Sequence, residues 1–259
     1  MARKETVWYT DPVHDDFAAT NGKIDVTEIG GDYDYGFRGP VRRVLSFFFY
    51  RLIATPLVFL FCKVFLGYRI RNRQVLRNIR GGYFLYGNHT QNICDAFLPS
   101  LITFPRACDI VTAPDASSIP GLRYIVARMG GVPLGTTLEG KIHFLKSLED
   151  RTGAGRAVAI YPEAHIWPWY NGIRPFPDGS FAFPLKFSVP AVPYVVVYRQ
   201  RKLFKNLPPR AEIFLGPVLR PEELKTRTAM RDAAYKWMHE TAEREHSYAW
   251  IEYREKVTA

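Results

Sequence analysis

The chain has 259 residues, of which 19 are proline and three are cysteine, and its formal net charge is +10. A basic balance of this kind favours an anionic partner, such as nucleic acid, anionic lipid or an acidic substrate. The cysteines, Cys62, Cys94 and Cys108, are far apart, which argues against a disulfide framework or a zinc site and favours a reducing compartment. The first ten residues lack the apolar core of a secretory signal.

The first 36 residues are acidic, with eight Asp or Glu residues against three basic ones. No apolar period runs through them, so we predict a loosely structured acidic N-terminal arm over residues 1–36 that can dock on the body of the protein. The sequence contains no internal repeat and no low-complexity tract.

The following segment, residues 37–80, is basic and apolar. No Asp or Glu lies between Arg38 and Arg80, and VLSFFFYRLIATPLVFLFCKVFLG occupies residues 44–67. Its uninterrupted apolar run, residues 52–62, is shorter than the about 20 residues that a bilayer-spanning helix needs. We predict a kinked or paired-helix membrane-associated element that lies in one leaflet, with arginines at anionic head groups. A buried core helix with solvated charges is the alternative.

From residue 82 onward, short β-branched segments alternate with amphipathic ones. We predict strands at 82–88, 107–113, 156–163, 191–199 and 211–218, and helices at 121–130, 138–150 and 221–246. The last helix is expected to begin at Pro221, since proline and acidic residues favour a helix N-terminus. The predicted fold class is α/β, with a mostly parallel central sheet flanked by helices over residues 81–259 and an N-terminal membrane-associated helical element.

A polar turn follows the first of these strands. Residues 86–97, YGNHTQNICDAF, place His89 just after the strand and Asp95 near the start of the helix CDAFLPSLIT. Sites in such sheets gather where strands end, so Asp95 could hold one imidazole nitrogen while the other accepts a proton. Asp95 could instead cap the helix, with His89 held by ordinary hydrogen bonds.

A second polar turn, YPEAHIWPW, follows the strand predicted at 156–163. Pro162 places Glu163 at the end of that strand. The segment GIRPFPDGSFAFPLKFSVPAVPYVVV then predicts a turn, a short helix and a strand. Gly179 opens the short helix, where backbone N–H groups could face an anion.

Taken together, these motifs resemble those of the glycerolipid acyltransferase family, whose best-known bacterial members acylate lysophosphatidic acid. That family has Asn-His…Asp after a strand, Pro-Glu-Gly after a later strand, then Phe-x-x-Gly and a Val-Pro-x-Val-Pro strand. The corresponding stretches are GNHTQNICD, YPEAH, PFPDGSF and VPAVPYVVV, and their order and separations agree over about residues 40–220. Bacterial members also begin with a short membrane-embedded two-helix element, which residues 40–66 match.

The sequence departs from the family pattern in three places. Five residues separate His89 from Asp95 where the family has four, a spacing that would place Cys94 opposite the histidine. Pro-Glu-Ala replaces Pro-Glu-Gly. Thr136, in GGVPLGTT, stands where the family has an arginine that holds the acceptor's phosphate, a charge that Arg174 could supply instead.

The resemblance implies transfer of a fatty acyl group from an acyl thioester to the hydroxyl of a lysophospholipid or related membrane lipid acceptor, a step of phospholipid biosynthesis. His89 would be the general base and Asp95 would orient it. Substrate contacts would come from Asn88, Glu163, Arg174 and Gly179. No cofactor and no metal is expected, with acyl-CoA or acyl-carrier protein as the acyl donor. An anionic membrane surface is an expected partner and nucleic acid is not, and the expected location is the cytoplasmic side of the cell membrane, peripheral or monotopic.

Two other functions fit parts of the sequence. A metal-dependent hydrolase could use His89, Asp95, Glu163 and His165, although their spacing matches no compact metal-binding motif. A non-enzymatic membrane-binding or nucleic-acid-binding protein agrees with the basic charge, although no nucleic-acid-binding motif is visible.

Overall fold

The computed structural model describes residues 5–17, 28–35, 48, 55–91, 94–114, 130–203 and 205–256. The helix predicted at 121–130 lies outside these residues except for its last position. Most of residues 37–54, the first part of the predicted membrane-associated element, lies outside them too.

The described residues form nine strands and five α-helices. The strands are β1 (Glu5–Tyr9), β2 (Arg69–Arg71), β3 (Tyr83–Gly87), β4 (Cys108–Thr112), β5 (Gly131–Pro133), β6 (Ala157–Ile160), β7 (Ala191–Arg199), β8 (Arg210–Leu215) and β9 (Ile251–Glu255). The α-helices are α1 (Thr55–Phe61), α2 (Leu98–Thr103), α3 (Leu138–Gly153), α4 (Ala182–Phe187) and α5 (Arg227–Glu245). A π-helical turn, Cys62–Leu66, continues α1, and short 3₁₀ helices occupy Arg73–Asn78, Cys94–Ala96 and Gly179–Phe181.

Seven of the strands form one sheet in the order β2-β8-β7-β3-β6-β4-β5. The five strands from β7 to β5 run parallel, whereas β8 is antiparallel to β7, and β2 is parallel to β8. The predicted fold class, a mostly parallel central sheet flanked by helices, is therefore confirmed. All five predicted strands are present, although β6 ends at Ile160 and leaves residues 161–163 in a turn.

Helices cover both faces of the sheet. Side chains alternate along β3, so that Tyr83 and Leu85 pack on one face with α2, and Phe84 and Tyr86 pack on the other with α3, α4 and α5. Burial on both faces explains why the central strands are continuous apolar runs in the sequence rather than alternating ones.

A tyrosine ring packs directly on the end of β3, and this explains the glycine there. A Cβ at Gly87 would lie 2.1 Å from Cζ of Tyr194, on the neighbouring strand β7. Only glycine leaves room for this ring, which fixes the backbone immediately before the polar turn that carries His89.

The last helix begins later than predicted. The first residue of α5 is Arg227, and the Oγ1 atom of Thr226 accepts the N–H of Ala229 at 3.1 Å as its N-terminal cap. Residues near Pro221 form a separate turn, in which the N–H of Leu224 bonds to the carbonyl of Arg220. The proline and glutamates are thus in the turn before the helix, and threonine provides the cap.

The two ends of the described chain meet. Strand β1 pairs with β9 in a parallel two-stranded sheet, which we call the clasp. The indole Nε1 of Trp167 donates to the carbonyl of Asp15 at 2.8 Å, and the Trp167 ring stacks on Tyr253 of β9. Farther along the N-terminal segment, the N–H of Ile29 donates to Oγ1 of Thr136 at 2.9 Å.

The α1 helix presents apolar side chains to solvent. Its exposed residues and those of the π-helical turn include Leu57, Phe59, Leu60, Phe61 and Val64. Within the ranges that the structure describes, no helix is both long and apolar enough to cross a bilayer.

Candidate functional site

The candidate site lies at the carboxyl edge of the parallel strands, where β3 and β6 end side by side. Tyr86 of β3 is in register with Ile160 of β6, so the residues that follow the two strands emerge next to each other. These include Asn88 and His89 after β3, and Glu163 after β6. Ligand sites of open α/β sheets commonly form at this edge.

His89 and Asp95 form a hydrogen-bonded pair. The Nδ1 atom of His89 lies 2.8 Å from Oδ2 of Asp95. Because a carboxylate can only accept, Nδ1 carries the proton, and Nε2 of the neutral ring is an acceptor. The histidine side chain is 24% exposed and the aspartate side chain is 2% exposed. The imidazole can therefore be reached from outside, while its carboxylate partner is shielded.

The carboxylate of Asp95 holds the loop that precedes it, not the helix that follows. Its Oδ2 atom accepts the backbone N–H groups of Thr90 and Gln91, each at 2.9 Å. Helix α2 has no side-chain cap at its N-terminus. The structure therefore contradicts the capping interpretation of Asp95, and the same oxygen that orients His89 fixes the loop around it.

The extra residue between His89 and Asp95 does not displace the pair. Cys94, which a spacing of four would place opposite the histidine, instead neighbours Cys62, and the interaction of the two thiols lowers the pKa of Cys62 and raises the pKa of Cys94. Both thiols are buried. Asp95 is thus the residue that meets His89.

Tyr161 contacts both members of the pair. Its ring stacks on the imidazole of His89, with centroids 4.5 Å apart and an interplanar angle of 16°. Its hydroxyl donates to the backbone carbonyl of Asp95 at 2.7 Å. Tyr161 was not among the site residues predicted from the sequence. The available signal was its position directly before Pro162, at the end of a buried strand that neighbours β3.

Glu163 and Arg174 form a buried ion pair behind the His89 loop. The Nη2 atom of Arg174 lies 3.3 Å from Oε2 of Glu163, and the two side chains are 1% and 0% exposed. Oε2 of Glu163 also accepts the backbone N–H of His89 at 3.2 Å, and Oε1 accepts the backbone N–H of Arg174 at 3.0 Å. The guanidinium also donates to the carbonyl of His165 and lies over the ring of Trp167.

The predicted substrate contacts of Glu163 and Arg174 therefore differ from what the structure shows. Both side chains are enclosed and bonded to protein groups, because the turns after β6 fold over them. Their contacts position the backbone of His89, and a bound acceptor phosphate would not reach the guanidinium in this arrangement.

Asn88 is also a positioning residue in the structure and not an exposed substrate contact. Its Nδ2 donates to the carbonyl of Val196 at 3.0 Å, and its Oδ1 accepts the N–H of Val196 at 2.8 Å. The side-chain amide thus replaces a backbone unit in the ladder between β3 and β7, and the residue is fully buried.

Gly179 lies farther along the chain, at the start of the 3₁₀ helix Gly179–Phe181. The neighbouring Ser180 carbonyl accepts the hydroxyl of Tyr86 at 2.8 Å, which ties this turn to the end of β3. Asp178, which precedes the glycine, pairs with Arg227 of α5 at 3.1 Å. The role of Gly179 as a substrate contact whose backbone N–H faces an anion stays a prediction.

Burial and neighbouring charges shift the pKa values of the ionisable groups around the His89–Asp95 pair. Burial raises the pKa of the Glu163 carboxyl, and the positive charge of Arg174 lowers this pKa part of the way back. Burial, and after it the negative charge of Asp95, raises the pKa of the phenols of Tyr161 and Tyr198. The phenols are therefore neutral hydrogen-bond donors around the pair at physiological pH.

His89, Asp95 and Glu163 lie close together, but the four residues of the alternative metal site do not form a set of metal ligands. Across the described ranges, no three His, Cys, Asp or Glu side chains are grouped so that they could hold a metal ion. His165 instead lies 3.6 Å from Oδ2 of Asp16, in the N-terminal segment. The geometry thus gives no support to a metal-dependent hydrolase that uses these residues.

Comparisons with known proteins identify the family and the fold of the chain. A model of the acyltransferase family matches residues 68–197, which include His89, Asp95 and Glu163. The fold is similar to the crystal structure of the 1-acyl-sn-glycerophosphate (LPA) acyltransferase PlsC from Thermotoga maritima, with a TM-score of 0.58 and 14% sequence identity over 80% of this chain and 84% of that chain. Comparison with curated protein sequences gave no significant match.

Proposed function

Since this chain belongs to the acyltransferase family, we propose that it transfers a fatty acyl group from an acyl thioester to the hydroxyl of a lysophospholipid or a related membrane lipid. The observation that carries this proposal is the His89–Asp95 pair, with Nδ1 bonded to the carboxylate and Nε2 left as an acceptor in a partly exposed ring. An acceptor hydroxyl can serve as the nucleophile, so the reaction needs no serine or cysteine of the enzyme.

The proposed reaction has two proton transfers at Nε2 of His89. Nε2 takes the proton of the acceptor hydroxyl as its oxygen attacks the thioester carbonyl, and the carbon–oxygen bond forms. The carbon–sulfur bond then breaks, and the imidazolium returns the proton to the departing thiolate. Asp95 stabilises the imidazolium between these steps, as a carboxylate does in a serine-hydrolase triad. The donor, acyl-CoA or acyl-carrier protein, is consumed as a substrate, and no cofactor takes part.

The proposed acceptor enters from a lipid surface. Strand β8 runs antiparallel to β7, so β8 begins at the edge of the sheet where β7 ends, which is also the edge that carries His89. Strand β2 runs parallel to β8 and therefore begins at the same edge. The exposed apolar side chains of α1 lie just before β2 and can insert among lipids, with Lys63 and Arg69 at anionic head groups. We therefore propose a peripheral location on the cytoplasmic side of the cell membrane and a role in phospholipid biosynthesis.

Tyr161 is proposed to support the charged form of His89. A cation over an aromatic face is stabilised by about 0.5–2 kcal/mol, so Tyr161→Leu is expected to lower kcat by roughly 2- to 30-fold with little change in KM. Tyr161→Phe keeps the ring and loses only the hydroxyl, so it serves as the matched control and should retain most of kcat. Steady-state kinetics of both variants test this role, and an equal loss in the two would show that the hydroxyl, not the ring, matters.

The experiment that tests the proposed function is a substrate panel read by mass spectrometry. Purified protein is incubated with palmitoyl-CoA or palmitoyl-acyl-carrier protein and with lysophosphatidic acid, lysophosphatidylglycerol or lysophosphatidylcholine. We expect at least one diacyl product, with release of the free thiol in equal amount. The head groups are varied because Thr136, at the place of the family's phosphate-binding arginine, already bonds to the backbone of Ile29.

A parallel incubation with EDTA separates acyl transfer from metal-dependent hydrolysis. The proposed mechanism uses only His89, Asp95 and the substrates, so the rate should be unchanged. Loss of activity with EDTA and its recovery with a divalent cation would contradict the mechanism. Absence of an acylated product with every donor and acceptor would contradict the function itself.

A further inference from the structure

A basic loop lies at the same sheet edge as His89. This β7–β8 loop, residues 200–209, leaves the carboxyl end of β7 and returns into β8, and the last residue of β7, Arg199, is opposite Arg210. Because β7 and β3 are parallel neighbours, the loop emerges on the side of the sheet where β3 ends and His89 begins.

The β7–β8 loop is basic and exposes both charged and apolar side chains. No Asp or Glu lies in the loop, which contains three basic residues, Arg201, Lys202 and Lys205, and Arg210 follows as the first residue of β8. Leu203 is 76% exposed and Leu207 is 43% exposed. Lys202 and Lys205 are exposed and, in the described part of the chain, form no ion pair. Exposed leucines beside lysines that form no ion pair can bind a lipid bilayer, whose head groups are anionic and whose interior is apolar.

The loop adjoins the apolar surface of α1. The side chain of Arg210 packs against Gly67, where an added Cβ would lie 3.0 Å from the Arg210 Cγ. The π-helical turn that continues α1 also contacts β8. Within the loop, Nε of Arg201 donates to the carbonyl of Pro208 at 2.7 Å and closes the turn that carries the leucines.

We propose that the β7–β8 loop is a second membrane-docking site that binds an anionic bilayer surface. Lys202 and Lys205 meet the head groups, and Leu203 and Leu207 enter the interface. With α1 and this loop both seated, the sheet edge that carries His89 faces the lipid. This inference rests on the proposed function for its purpose, but lipid binding by the loop can be measured without any acyl transfer.

The test is sedimentation with vesicles of phosphatidylcholine alone or with phosphatidylglycerol, using the full chain. About 1 kcal/mol for each lysine near an anionic surface corresponds to roughly 30-fold weaker partitioning onto anionic vesicles for Lys202→Ala/Lys205→Ala. Leu203→Ser should weaken binding to both vesicle types, by about tenfold, because it removes an inserted apolar side chain. All three residues are exposed, so the fold, checked by circular dichroism, should be unchanged.

The matched control is Lys225→Ala/Lys236→Ala, which removes the same charge. Leu219 pairs with Ala191, the first residue of β7, at the opposite end of the strands, and the turn Arg220–Leu224 that follows it leads directly to Lys225. Lys236 is an exposed residue of α5. This control should bind anionic vesicles like the unmodified protein. Equal vesicle binding by the loop variant and the unmodified protein would overturn the proposal. A loop variant that loses only its binding to an acidic acyl-carrier protein would assign the loop to a soluble partner instead.

The vesicle assay and the substrate panel fail independently. If no acylated product forms but the loop variants lose vesicle binding, the docking site holds and the proposed function is wrong. If products form but vesicle binding is unchanged in the loop variants, the proposed function holds and the docking site is wrong.

Discussion

Replacement of His89 by alanine is expected to lower acyl transfer by about 10²- to 10⁴-fold, the usual contribution of a general base, while the protein stays folded. Nε2 of His89 is the acceptor that the Asp95 contact leaves available, and no substrate proton can be removed there in the variant. The measurement is the initial rate of thiol release with the acceptor that the substrate panel identifies. Circular dichroism and vesicle binding should match those of the unmodified protein.

The chain supplies a matched control in a second histidine–aspartate pair. Nδ1 of His14 also lies 2.8 Å from Oδ2 of an aspartate, Asp11, but this pair is on the exposed N-terminal segment. His14→Ala removes a histidine that is also paired with an aspartate at 2.8 Å, and it should leave the rate unchanged. A similar loss in both variants would show that the effect of His89→Ala is not specific to the site.

Asp95→Asn tests whether the pair acts as a unit. An amide oxygen can still accept the N–H groups of Thr90 and Gln91, but it stabilises an imidazolium far less than a carboxylate does. We expect a large loss of kcat, and we expect the double variant His89→Ala/Asp95→Asn to be no slower than His89→Ala alone, since residues that work through one group are not additive. Additive losses would mean that Asp95 acts independently of His89.

Arg174→Ala is expected to destabilise the protein by about 3–5 kcal/mol, because it leaves the buried carboxylate of Glu163 without its partner. Glu163 and Arg174 are both enclosed, and the guanidinium also contacts the carbonyl of His165. Urea denaturation measures the loss as a change in the free energy of unfolding. Activity should fall in parallel, since Glu163 holds the backbone N–H of His89.

The pH dependence of this loss follows from the direction of the Glu163 shift. Burial already raises the pKa of Glu163, and removal of Arg174 takes away the charge that lowers it. A carboxyl whose pKa is higher in the folded state than in the unfolded state binds more protons when folded, so stability decreases as pH rises through the folded pKa. The decrease in the free energy of unfolding caused by Arg174→Ala should therefore be smallest at acid pH and largest above the pKa of Glu163 in the folded variant.

Two further variants check the origin of the effect. Arg254→Ala removes an exposed arginine that pairs with Glu252 at 2.9 Å, and an exposed pair of this kind is worth about 1 kcal/mol or less. Glu163→Gln/Arg174→Met leaves no unpaired buried charge and should recover much of the lost stability. A deficit in Arg174→Ala no larger than that of Arg254→Ala would contradict the structural importance of the buried pair.

The sequence was sufficient to predict the parts of the fold that local pattern specifies. The apolar runs of β3, β6 and β7 are continuous and rich in β-branched or aromatic residues, and the fold class followed from their alternation with amphipathic helices. Strands β1, β2, β5 and β9 were not predicted. Strands β2 and β5 have only three residues each, and β1 and β9 contain charged or polar residues that break up the apolar pattern. The pairing of β1 with β9 also depends on residues at opposite ends of the chain.

The sequence identified most residues of the candidate site, but it did not predict the role of each one. His89 and Asp95 were singled out from their position after a strand, and the structure brings them together. Arg174 was interpreted as a candidate phosphate ligand because Thr136 stands where the family has an arginine, and Arg174 lies in the next motif. Its burial depends on the fold of the turns after β6 over Glu163, a tertiary contact between residues 11 positions apart that no local period records.

The clasp between β1 and β9 has a consequence for the order in which the molecule opens. Its five residue pairs join segments separated by almost the whole chain, so the loop that they close carries a large entropic cost. The clasp has only two strands, and their hydrogen bonds and contacts offset this entropic cost less than those of the seven-stranded sheet would. Opening the clasp therefore requires less free energy than unfolding the central sheet. The ring of Trp167 packs against Tyr9 and Tyr253 of the clasp, and its backbone N–H donates to the carbonyl of His89 at 3.1 Å. Transient release of the clasp would therefore loosen the backbone of His89 without melting the central sheet.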